Sequence, residues 1–354
     1  MNSSLVEDIQ SAVARHELAG AVVLVADKRE VLALEAAGWA DIGAKKPMTG
    51  DTIFWVASQT KPMTAVALMM LVEEGRLNLD DPVEKYLPEF AGQMVAAAKD
   101  AGDPLLKKPS RPIAIKNLLT HTSGLPFTTP VEEPTLDLLP LSTRVRSYAA
   151  SPLVSDPGAG CLYSNAGINT AGYLVEILGG HRFEKFLYER LLRPLGMTDT
   201  TFWPGEEQAG RLAQAYKTDP ETGGLVEVAI EQLHYPLTDT ARRFVIPAGG
   251  LFSTARDLAT FYRMILNGGA LDGRRYLSED TVREMTRRQT PAGMDPKGYG
   301  FVADGTSYGH GGAYSTGTRV DVASGLILVW LMQHADYGGD ARKVFEENAL
   351  ARFA

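Results

Sequence analysis

The stretch AVVLVADKREVLALEAAGW, residues 21–39, decides the fold. Two β-rich runs, 21–26 and 31–39, flank the polar Asp27-Lys28-Arg29-Glu30, the pattern of strand, charged turn and strand that predicts a hairpin. Upstream, residues 5–16 carry apolar side chains at helical spacing. The far end of the chain has the same character. Residues 298–303, 316–323 and 326–334 are strand-like, the last two parted by Ser324-Gly325, and 340–353 form an amphipathic helix. Helix and antiparallel strand at both ends predict one sheet assembled from the two termini and covered by the terminal helices.

Between the ends the character changes. Residues 63–74, 115–121, 143–150, 165–178, 183–195 and 255–266 all read as helices, joined by Pro- and Gly-rich loops. The expected class is therefore α/β (α+β): a discontinuous sheet domain from 1–62 and 246–354, a mainly helical inserted domain at 63–245, and an active site at their junction. Loops 90–112 and 126–140 are long for a compact domain, which makes them expected walls of a binding cleft.

Composition removes several classes of function. The chain has 354 residues, 45% apolar and 22% charged, with a formal charge of −8, which excludes disorder, collagen-like repeats and a coiled coil. The acidic balance, with no Lys/Arg stripe, argues against nucleic acid as a partner. The longest apolar runs, 65–72 and 326–332, are far below the roughly 20 residues of a membrane span. A single cysteine, Cys161, allows no internal disulfide and no Cys-based zinc site, and the six histidines show no H-E-x-x-H pairing, so no metal and no cofactor is expected. The opening Met1-Asn2-Ser3-Ser4 lacks a basic region followed by an apolar stretch. The expectation is a cytoplasmic protein, with a periplasmic or secreted one as the alternative if the sequence is a trimmed mature form. Nothing in the sequence addresses the oligomeric state.

Three short motifs carry chemistry. Ser58-Gln59-Thr60-Lys61 precedes an apolar helix in which Pro62 is tolerable only in the first turn. Ser58 then stands at a helix N-terminus with Lys61 on the same face, a nucleophile beside a base. By composition alone about 0.6 such S-x-x-K matches arise by chance, so the motif means little in isolation. Tyr163-Ser164-Asn165 enters the 165–178 helix 105 positions after Ser58. Taken alone, Asn165 is a helix cap and Tyr163 a buried aromatic. His310-Gly311-Gly312 stands beside a late strand, where two glycines permit close backbone approach by a ligand. The N–H of Ala313 is then placed to bind an oxyanion together with that of Ser58.

In this order and context the motifs resemble those of the class C beta-lactamase-related serine hydrolases, which include penicillin-binding D-amino-acid peptidases and beta-lactamase-like carboxylesterases. Phe54-Trp55-Val56-Ala57, Leu118-Leu119-Thr120-His121-Thr122-Ser123-Gly124-Leu125, Leu195-Gly196-Met197 and Gly249-Gly250-Leu251-Phe252-Ser253-Thr254 extend the similarity over about residues 8–350. The resemblance implies a beta-lactamase/transpeptidase-like fold and an acyl-enzyme mechanism. It further implies Ser58 as nucleophile, Lys61 and Tyr163 sharing the base role, Ser58 and Ala313 N–H groups as oxyanion hole, and Asn165, His310, Gly311 and Gly312 as substrate-binding residues. The sequence departs from the beta-lactamase pattern at His310, where a lysine is usual. A free imidazole of pKa about 6.5 is charged roughly a quarter of the time at pH 7, so a substrate carboxylate is held less well. That favours a carboxylesterase acting on a small-molecule ester. D-amino-acid peptides, amides and β-lactams are the alternatives, and a non-catalytic scaffold or penicillin-binding protein is the alternative of another class.

One rival motif exists. Gly305-Thr306-Ser307-Tyr308-Gly309 fits G-x-S-x-G, with Asp321 and His334 following in the order of an α/β-hydrolase triad. An elbow needs a helix after its serine, whereas another strand is expected here, and Ser307 is read as a turn residue.

Overall fold

The computed structural model describes residues 5–96 and 105–354. Met1-Asn2-Ser3-Ser4, read above for an export signal, and residues 97–104 of the 90–112 loop lie outside the described residues. The main sheet contains β1 (Gly20–Ala26), β2 (Val31–Asp41), β3 (Lys46–Pro47), β4 (Val302–Ala303), β5 (Ser307–Gly311), β6 (Gly317–Asp321) and β7 (Leu326–Leu331). Its order is β4-β5-β6-β7-β1-β2-β3, with every neighbour antiparallel. The two ends of the chain meet at its centre, where β1 pairs with β7 in the register Val22↔Leu331 to Ala26↔Ile327.

The helices that bear on the site are α1 (Glu7–Ala14), α2 (Thr60–Glu73), α3 (Leu141–Ala150), α4 (Asn165–Gly179), α5 (Ala255–Leu266) and α6 (Ala341–Phe353). Helices α1 and α6 cover one face of the sheet, burying Ile9, Val23, Trp330 and Phe345 together. Helix α5 packs on the other face against β1 and β7. Because both faces are covered, β1 and β7 are buried at every position, which is why they read as continuous apolar runs rather than alternating ones. Helix α2 is buried from Thr60 to Leu71 and packs against α4.

Several boundaries differ from the sequence reading for local reasons. Helix α2 begins at Thr60, and a 3₁₀ turn, Ala57–Gln59, precedes it, so Pro62 does fall in the first turn. Of 298–303 only β4 is paired. A side chain at Gly298 would lie 2.2 Å from the Met285 carbonyl oxygen, and Gly300 adopts φ +78°, so this segment is folded onto its neighbours rather than extended. The run 326–334 divides at Leu331. His334–Ala335 pairs in parallel with Ala215–Thr218 in a separate three-stranded sheet. Strand β5 went unread because its centre, Gly309-His310-Gly311, has low strand propensity. Ser307 is its first residue, not a turn residue.

Candidate active site

Ser58 is presented by a strained turn. The short strand Phe54–Trp55 pairs with Phe252–Ser253, and the chain then turns through Ala57, a non-glycine residue at φ +46°. Such a conformation persists only when its surroundings over-determine it. Here Thr60 Oγ1 donates to the Ala57 carbonyl at 2.7 Å and accepts from the Leu251 N–H at 3.2 Å. Thr318 Oγ1 on β6 donates to the buried Gln59 Oε1 at 2.7 Å. The turn is thereby fixed to the sheet on one side and to the 245–251 segment on the other.

One helical turn on, Lys61 is fully buried. Its Nζ lies 2.9 Å from Ser58 Oγ, 2.8 Å from Asn165 Oδ1 and 2.6 Å from the Ala248 carbonyl oxygen. None of these partners is a carboxylate. Burial, with the positive charge of Lys297 added to it, holds the amine well below the usual lysine range. An uncharged amine fits the three contacts. Its two hydrogens go to Asn165 Oδ1 and the Ala248 carbonyl, leaving its lone pair to accept the Ser58 O–H.

The Ala248 carbonyl is placed by a strap of backbone, 245–251, that receives donors from two helices and from the strand Phe54–Trp55. Thr64 Oγ1 of α2 donates to the Pro247 carbonyl, the Trp55 indole to the Gly249 carbonyl, and the Arg144 guanidinium of α3 to the Val245 carbonyl. The Ala248 N–H donates to Asn169 Oδ1 on α4 at 3.0 Å. Asn169 Nδ2 in turn donates to the Tyr148 hydroxyl, which donates to the buried Glu132 carboxylate at 2.6 Å. Asn165 is not the cap of α4. Ser164 is, its Oγ accepting from the Gly167 N–H, and this releases the Asn165 side chain to reach Lys61.

Tyr163 stands between rings and amines. Its ring centroid is 4.5 Å from that of His121 and 6.2 Å from that of Phe127, while Lys61 Nζ lies 4.7 Å and Lys297 Nζ 5.5 Å from it. Burial pushes the phenol up to about 12, against the pull of its hydrogen bonding with Ser58. His121 Nδ1 accepts the Ser164 N–H at 3.1 Å, and burial holds this imidazole well below its usual range.

A cleft of about 260 Å³ opens on Ser58, lined by Trp55, Phe127, Leu136, Tyr163, Asn165 and the backbone of Ala248-Gly249 and Gly311-Gly312-Ala313, among others. Phe127 and Leu136 belong to the long 126–140 loop; the described part of 90–112 does not line this cleft. A larger cavity, about 460 Å³ between Arg111, Asn117 and Tyr299, contains neither Ser58, Lys61 nor Tyr163. Ser58 and Ala313 both line the cleft, and among the described residues neither N–H donates to a protein acceptor. The His310 side chain is not part of that lining. Strand alternation turns it onto the face shared with its partner Thr318, where it packs near Tyr163 at 6.1 Å between centroids. Its Nδ1–H donates to the Gly311 carbonyl at 2.7 Å, and burial lowers the ring to about 3. His310 is thus uncharged at neutral pH rather than charged a quarter of the time.

The rival triad does not assemble. Ser307 Oγ donates to Asp304, Asp321 accepts from Ser324, and His334 Nε2 lies 3.3 Å from Thr218 Oγ1 beside the three-stranded sheet. Arg319 pairs with Glu346 and Asp321. Among the residues around the site that sequence reading missed, Asn169 and Lys297 stand out. Neither belongs to a motif, and only the fold brings them to the others.

The model of one protein family, Beta-lactamase, matches residues 5–353. The chain belongs to the beta-lactamase family. Within it, the chain is 35% identical over 353 residues to Protein Rv1367c of Mycobacterium tuberculosis, covering 90% of this chain and 86% of that one. It is 30% identical over 368 residues to Esterase EstB of Burkholderia gladioli, covering 92% and 89%. The solved structure of EstCE1, described as a hydrolase with promiscuous acyltransferase activity, superposes with a TM-score of 0.79 at 25% identity over 99% of this chain and 97% of that one. The fold is that of the beta-lactamase/transpeptidase-like proteins, and the chain is a beta-lactamase-family serine hydrolase. No helix among the described residues is long and apolar enough to cross a membrane.

Proposed function

We propose that this family member is a carboxylesterase that works through an acyl-enzyme on Ser58. The observation that carries the reading is the wall of the cleft. It is aromatic and aliphatic, through Trp55, Phe127, Leu136 and Tyr163, and among the described residues no lysine or arginine lines it, while His310 is turned away and uncharged. Such a wall suits a neutral acyl group and offers a substrate carboxylate no partner. Esterase relatives at 30% identity support the same substrate class.

In this reading the Ser58 proton passes to the Lys61 amine as Oγ attacks the acyl carbon. The carbonyl oxygen takes up the negative charge between the Ser58 and Ala313 N–H groups. A phenol at about 12 stays protonated at neutral pH, so Tyr163 donates to the departing alkoxide and is reprotonated from Lys61. Asn165 holds the Lys61 amine in place. Water then repeats the sequence in reverse and frees the acid. Parallel assays with p-nitrophenyl esters, a chromogenic cephalosporin and a D-alanyl dipeptide test the substrate class. The expected result is turnover of the esters at a kcat/KM at least tenfold above the other two; a higher value for the cephalosporin or the dipeptide contradicts it.

A further inference from the structure

Lys297 is a buried lysine with no ion-pair partner among the described residues. It is 9% exposed, and among the described residues its Nζ has neither a carboxylate nor a carbonyl partner. A lysine side chain enclosed without an ion-pair partner calls for a reason. Its backbone is held firmly: its N–H donates to Thr290 Oγ1 at 3.0 Å and its carbonyl accepts the Gln289 N–H at 2.7 Å. The side chain reaches over Tyr163, 5.5 Å from the ring centroid, while Lys61 Nζ lies 4.7 Å from the same point, so the two amines are at most about 10 Å apart.

We propose that Lys297 is a positioning residue of this site, an unneutralised cation beside Tyr163 that biases the Lys61 amine toward its uncharged, proton-accepting form. The proposal rests on the acyl-transfer reading of Ser58 and Lys61. The groups facing the two amines are Tyr163, His121, His310, Cys161 and, on the same loop as Lys297, the exposed Asp295. Both imidazoles are themselves held uncharged by burial, so neither supplies the missing field. The positive charge of Lys297 lowers Lys61, His121 and His310 alike.

The sign is definite. A base that must be uncharged works above its pKa, so kcat/KM rises with pH through that value. Removing a nearby positive charge raises the value and moves the acid limb upward. At 10 Å and an effective dielectric of about 20, the shift is about one pH unit, or roughly tenfold in rate on the limb. The test is the pH profile of kcat/KM for p-nitrophenyl acetate in the wild type, Lys297→Met, Lys297→Gln and Lys297→Arg, with fluorophosphonate labelling of Ser58 as reference. The limb should rise about one unit in the Met and Gln variants and return in the Arg variant; if the Met variant fails to fold, the Gln variant decides. An unmoved limb in a folded neutral variant overturns the role of Lys297. So does an unmoved limb joined to a rise in KM confined to carboxylate-bearing esters, which makes the residue a substrate contact instead. If the wild type takes no label at Ser58, the proposed function fails and this inference with it; label with an unmoved limb removes Lys297 alone.

Discussion

Tyr163 shows how little of a residue's role lies in its type. A phenol pushed up to about 12 by burial is a poor base but a ready donor, and its place beside Ser58 and above Lys61 makes it the proton carrier of the proposed reaction. Tyr163→Phe keeps the ring that packs on His121 and removes only the hydroxyl. Its kcat should fall by about 10²–10⁴, the usual range for a lost general acid or base, with Tm little changed. An unchanged kcat takes the phenol out of the mechanism. At this scale Ser58, Lys61 and Tyr163 were legible because each sits in a motif with a helix start beside it. The direction of His310 was not. A histidine flanked by glycines on an unread strand gives no alternation from which to assign a face. Lys297 was invisible for a simpler reason: a lone lysine in a loop has no pattern, and its meaning comes from what folds against it.

At the scale of elements, the cleft depends on backbone brought very close to the nucleophile turn. A side chain on Gly312 would meet Thr316 Oγ1 at 2.2 Å and the Val56 carbonyl oxygen at 2.5 Å, whereas one on Gly311 would meet only the Thr316 carbonyl, at 3.6 Å. Val56 precedes the strained Ala57, so the glycine lets its backbone pack against the turn that carries Ser58 without displacing it. Gly312→Ala should therefore lose more kcat/KM and more Tm than Gly311→Ala, with overpacking of about 1–3 kcal/mol behind the difference. The reverse order contradicts this account of the oxyanion site. Helices α4 and α5 were readable almost to the residue, because each carries buried apolar positions at helical spacing between a capping residue and a stop. The strap 245–251 was not. Its conformation is set by hydrogen bonds donated by Thr64, Trp55 and Arg144 and one accepted by Asn169, side chains that arrive from distant parts of the chain.

At the scale of the whole molecule, the site exists because the chain closes on itself. Strand β1, near the start, lies beside β7, near the end, and covering both faces places β5 and β6 against the turn that carries Ser58. Helix α4 brings Asn165 from more than a hundred residues away to the amine of Lys61. The terminal helices hold this closure together, with Trp330 and Phe345 packed 6.0 Å apart between ring centroids on the far face of the sheet. The central claim is that these segments make one activated serine. Intact mass measurement after treatment with a fluorophosphonate, followed by peptide mapping, tests it most directly. The account predicts a single adduct on Ser58 in folded wild type, lost on prior unfolding and in Ser58→Ala. No adduct on the folded protein, or one mapped to Ser307, contradicts it.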